Sequence, residues 1–135
     1  MSDSYAVVVP TDDDIKIIAL EDDDLAMYHR EIGCTTVEVV TLDALPLGVA
    51  DGLHMWVDED GQFVAEPRLN PRATGVALAA RRGRFLTLYV GVAVFTGGAD
   101  EEGETLGLTW ADAEVIKRIA IASGEQVKAY LRDKN

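Results

Sequence analysis

The stretch FLTLYVGVAVF, residues 85–95, is apolar at both odd and even positions. A half-exposed strand alternates apolar and polar residues, so a run that is apolar on both faces suits a central strand covered on either side by helices, another sheet or a second subunit. This stretch sets the expectation for the chain: a sheet whose two faces both need cover, with the flanking segments supplying it.

Immediately upstream, Asn70 reads as a helix N-cap and Pro71 as the first helical residue. Ala73, Val76, Ala77 and Ala80 then give the i, i+3, i+4, i+7 stripe of a small-residue helix, able to pack closely and ending at Gly83. Downstream, Thr109 and Asp112 form a capping box for a helix that turns Val115, Ile116, Ile119 and Ala120 inward and stops at Gly124. A final helix is expected over Glu125 to Lys134.

Toward the N-terminus, Tyr5 to Val9 and Ile15 to Leu20 flank Pro10-Thr11-Asp12-Asp13-Asp14 and read as a hairpin. EDDDLAMYHREIG reads as a short helix presenting Leu25, Tyr28 and Ile32, stopped by Gly33. Thr35 to Leu42 is a strand, and Leu53 to Val57 with Gln62 to Ala65 suggest a second hairpin about Asp60-Gly61. The fold class expected is α+β: a single compact domain over residues 1–135, with a mixed, mostly antiparallel sheet, a central strand near 85–95 and three to four short helices.

Composition bounds function. The net charge of -12 repels phosphate backbones and anionic membranes, and attracts cationic partners. No direct nucleic-acid or membrane binding is expected. One cysteine, no positive N-terminal region and no apolar run long enough to span a bilayer point to the cytoplasm. His29 and Cys34 lack an orienting partner, the three serines stand in no triad context, and no phosphate-loop or dinucleotide fingerprint exists. Asp58-Glu59-Asp60-Gly61 resembles a calcium loop only superficially, because its glycine is fourth rather than sixth. Nothing argues positively for an enzyme, a metal or a cofactor.

Charge is sorted along the chain. Residues 1–66 hold sixteen acids and two bases, a charge of -14; residues 67–99 hold five arginines and no acid, +5; residues 100–135 hold eight acids and five bases, -3. Two readings follow. Arg68, Asn70 and Arg72, at a helix start with free N–H groups, suit a nucleotide-like anion; the structural reading pairs these arginines with the acidic hairpin or with a second copy, as in a homodimer. The acidic runs Asp12, Asp13, Asp14; Asp22, Asp23, Asp24; Asp58, Glu59, Asp60; and Asp100, Glu101, Glu102 suit a protein partner, or imitate phosphates to a DNA-binding protein. Each run also sits where a turn or helix start would put acids anyway.

VEVVTLDAL (37–45), WVDEDGQF (56–63), RLNPRAT (68–74) and VGVAVFTGGADEEGETLGLT (90–109) together resemble the family of domain of unknown function 3846, found in phages, plasmids and actinobacterial genomes. The acidic opening and the C-terminal helices depart from it. The resemblance implies a compact α+β domain carried by a mobile element, with no activity or ligand to transfer. The function expected is a non-enzymatic phage-type accessory protein that binds a host or phage protein through its acidic surface, interference with a host DNA-acting protein being one form. The alternative is the anion binder at Asn70-Pro71.

Overall fold

The computed structural model describes residues 4–43, 45–49, 52–63, 66–80 and 87–134. Five strands form one sheet: β1 (Tyr5–Val9), β2 (Lys16–Ala19), β3 (Val37–Leu42), β4 (Leu53–Asp58) and β5 (Ala93–Thr96), in the order β2-β1-β5-β4-β3. Every neighbouring pair is antiparallel, so the parallel pairing that a mixed sheet would contain does not occur among the described residues. Alternate side chains leave the sheet in opposite directions. Val7, Val9, Leu53, Met55, Val57 and Phe95 point to one core, shared with helices α2 (Pro71–Ala80) and α3 (Trp110–Lys134). Ala6, Val8 and Val94 point to a second, smaller core, shared with Met27 and Tyr28 of helix α1 (Asp24–Tyr28).

All four residues of β5 are buried and the strand is third of five, so the sheet is covered on both faces about a central strand. The strand is shorter than residues 85–95. Gly91, with a φ of +75°, bends the chain before it, and of the preceding stretch Val90 makes only a single bridge, to Leu69. Residues 85 and 86 lie outside the described ones.

The opening hairpin pairs Tyr5 with Ala19 and Val8 with Lys16. The second hairpin does not form as the sequence suggests. One flank of β4 is taken by β3 and the other by β5, while Gly61–Phe63 is a 3₁₀ turn closed by Phe63 N–H donating to Asp60 O at 2.9 Å. Residues 64 and 65 of the expected second arm lie outside the described ones.

Helix α1 continues into a π-helical turn, His29–Gly33. Ile32, within that turn, packs against the smaller core as the sequence predicts. Met27 and Tyr28 are buried, whereas Leu25 is 51% exposed, a correction to its expected inward position. Asp23 caps the helix by accepting from Ala26 N–H.

Helix α3 runs through Gly124 without a stop, fusing the two expected helices into one of 25 residues. Glycine serves packing there instead of termination. A Cβ on Gly124 would lie 3.0 Å from Arg72 Cα, and one on Gly75 of α2 would lie 2.7 Å from Ser123 Cβ and 2.8 Å from its backbone carbon. The α2 stripe is as expected, with Ala73, Val76, Ala77 and Ala80 all buried. Thr109 Oγ1 accepts from Asp112 N–H at 3.1 Å, starting α3. Among the described residues, no helix is long and apolar enough to cross a membrane.

Candidate functional site

Asn70 is 0% exposed. Its Nδ2 donates to Val9 O and to Gly91 O, each at 2.8 Å, and its Oδ1 accepts from Ala73 N–H at 3.0 Å. Its backbone is engaged too, N–H donating to Tyr89 O and C=O accepting from Thr74 N–H. One side chain thus ties the end of β1, the approach to β5 and the start of α2 together. Both amide hydrogens are used.

The two arginines beside it turn toward the first acidic run. Arg72 donates to Pro10 O at 2.7 Å and Asp13 O at 2.6 Å, closing the β1–β2 turn. Arg68 pairs with the Asp12 carboxylate at the surface. Both residues are therefore drawn to acidic sequence more than 50 positions away, and they form no separate basic face. Arg81, Arg82 and Arg84 lie outside the described residues.

The four acidic runs fall on the two ends of the sheet. At the end where β1 and β4 finish, Asp12, Asp13, Asp58 and Glu66 line one trough together with Arg68. At the other, Glu21, Asp22, Asp24 and Glu104 line a second. There Thr105 Oγ1 donates to Asp24 Oδ2 at 2.7 Å, and Asp100 Oδ1 accepts from Glu102 and Glu104 N–H, both at 2.9 Å, curling its loop on itself. Arg30 pairs with Glu21 and Glu31, and Lys16 with Glu31. Hydrogen bonds from Arg30 hold Glu21 below the usual carboxylate range; those from Lys16, then Arg30, do the same for Glu31.

Asp58 also lines a second, smaller groove that the sequence did not reveal. Val57, Tyr89 and Val90 line its apolar part, Glu38 and Glu59 join Asp58 as its acids, and Phe63 stands beside it 85% exposed. Its volume is about 200 Å³, below the roughly 300–1,000 Å³ of small-molecule pockets. It has the scale of a seat for a side chain. The sequence signal was present in DEDGQF, an aromatic directly after an acidic turn, but exposure depends on what fails to cover the ring.

The enzyme-type residues stand apart. Burial, then the charge of Asp58, pushes the Cys34 thiol up, away from reactive thiolate. His54, half-buried and edge-on to Trp56 at 6.1 Å, is pushed down by burial, and among the described residues its buried Nδ1 has no hydrogen-bond partner. Tyr28 stacks on Trp56 at 4.2 Å; burial raises its phenol above the ordinary range, and its buried hydroxyl lies near Thr105, Asp24 and Thr96. Ser123 Oγ donates within α3, to Ile119 O. Among the described residues, no three His, Cys, Asp or Glu side chains converge as a metal ion would need.

A search of the curated proteins and one of the solved structures each found no match. Against protein families, residues 3–120 match the profile of a domain of unknown function, DUF3846. That span takes in the sheet, α1, α2 and the first half of α3, and the chain belongs to the DUF3846 family.

Proposed function

We propose that this protein is a non-enzymatic accessory protein of phage or mobile-element type that acts in the cytoplasm by binding a cationic protein through its acidic surface. The observation that carries this reading is the trough at the end of β1 and β4, where Asp12, Asp13, Asp58 and Glu66 meet, Arg68 being the only cation lining it among the described residues. A net charge of -12 steers positively charged partners toward such an end and disfavours phosphates. A host DNA-acting protein, whose nucleic-acid surface is basic, is one partner of that chemistry. The acids divide between opposite ends of the sheet, which supports local docking over imitation of one continuous phosphate row. The anion-binding alternative has less support, because Asn70 is buried and both of its amide hydrogens are engaged.

The test is cross-linked capture from host lysate at low and high salt, comparing the native chain with an Asp12→Asn/Asp13→Asn/Asp58→Asn variant. A basic partner that is lost at high salt and lost by the variant is the expected result. A partner held equally at both salts, or equally by both proteins, refutes the electrostatic mechanism.

A further inference from the structure

The groove at the end of β4 joins two properties that surface loops seldom combine. Phe63 is 85% exposed beside apolar Val57, Tyr89 and Val90, and the neighbouring acids Glu38, Asp58 and Glu59 have no ion pair among the described residues. Acids alone attract any cation. An aromatic ring amid unneutralised acids favours a cation that is flat, weakly hydrated and able to form several hydrogen bonds, which describes guanidinium better than ammonium. Asp58 also lines the larger acidic trough, whose acids would attract further basic residues of the same segment.

We infer that this groove receives an arginine of an extended basic segment of the partner protein, its guanidinium against Phe63 and its charge facing Glu38, Asp58 and Glu59. The inference rests on the protein-binding reading above and names the chemistry of the partner. A second copy of this chain is a poor occupant, because two bodies of charge -12 repel. Nucleic acid is disfavoured by the same field. The groove's small volume suits one anchoring side chain, with affinity concentrated in it as at other interface anchors.

The probe is a fluorescein-labelled peptide of alternating arginine and leucine, titrated with the full chain and followed by anisotropy, beside the same peptide with lysine for arginine. The arginine peptide is expected to bind more tightly than the lysine peptide. Phe63→Ser should weaken the arginine peptide by about tenfold and nearly abolish that preference. Because Phe63 is exposed, this change leaves the fold intact, which circular dichroism checks. Glu38→Gln/Glu59→Gln should weaken both peptides, and Asp22→Asn/Asp23→Asn, at the opposite end, neither. Unchanged arginine binding in Phe63→Ser overturns the inference. If instead only Asp22→Asn/Asp23→Asn reduces binding, the groove is wrong while an acidic docking surface stands. Failure of both peptides to bind at low salt overturns the inference and the protein-binding reading alike.

Discussion

Replacing Asn70 by aspartate keeps the shape of the side chain and one of the best N-capping groups, yet it should destabilise this protein more than alanine does. Alanine removes the bond to Ala73 N–H and those to Val9 O and Gly91 O. Loss of a cap costs about 1 kcal/mol, and each buried amide bond about 1 kcal/mol, so Asn70→Ala should lose about 3 kcal/mol, a large share of the roughly 5–15 kcal/mol available to a domain. Aspartate retains the cap but sets an anionic oxygen against two carbonyl oxygens in a site that is 0% exposed. The desolvation and repulsion should bring its loss to about 4 kcal/mol at neutral pH. The pH dependence follows in sign. A carboxyl there has a folded-state pKa above its unfolded value, so the deficit shrinks on acidification through that value and grows as pH rises. Urea denaturation of the three proteins at neutral and acidic pH measures this. An Asn70→Asp variant within about 0.5 kcal/mol of the native chain at neutral pH would show that Nδ2 does not hold those carbonyls, and would reopen the start of α2 as a place for a ligand.

Other consequences are open to measurement. Gly75→Ala and Gly124→Ala should each lower stability by about 1–3 kcal/mol despite alanine's better helix propensity, because the added methyl meets the opposing helix; thermal melts showing either variant stabler than the native chain would refute the glycine-mediated crossing. The folded-state pKa of Glu31 is depressed by Lys16 first, so its contribution is present above the unfolded value and lost as pH falls through the folded one; the melting difference between native and Glu31→Gln should be visible near neutrality and close as the carboxyl protonates. His54 should titrate below the ordinary value of 6.5 because burial disfavours its cation, which a proton–nitrogen NMR titration would show.

What could be foreseen from the chain was what local chemistry decides. β1 runs from Tyr5 to Val9 because five apolar, mostly β-branched residues end at a proline and a run of aspartates. The starts of α2 and α3 follow from Asn70-Pro71 and from Thr109, whose side chains satisfy N–H groups a few residues away. The insertion of β5 between β1 and β4 was hidden because it joins segments some 40 to 90 residues apart, and nothing in either segment names its partner. Gly124 misled for a related reason. Glycine stops helices and also lets them touch, and only Arg72 on the neighbouring helix decides which. The arginine band was visible as sequence but not as space, since Arg68 and Arg72 are spent on Asp12 and on the Pro10 and Asp13 carbonyls.

The outer rim of β3 gives the large negative charge another role. That strand ends the sheet opposite β2, is six residues long, and carries Val39 43% exposed. Its outward-facing peptide groups are a template on which a neighbouring chain could grow the sheet. Mutual repulsion between copies keeps such templates from meeting in dilute buffer. Concentrated salt or acid, by cancelling that repulsion, should turn the same strand into the seed of ribbon-like aggregates, visible by light scattering before any loss of helix signal.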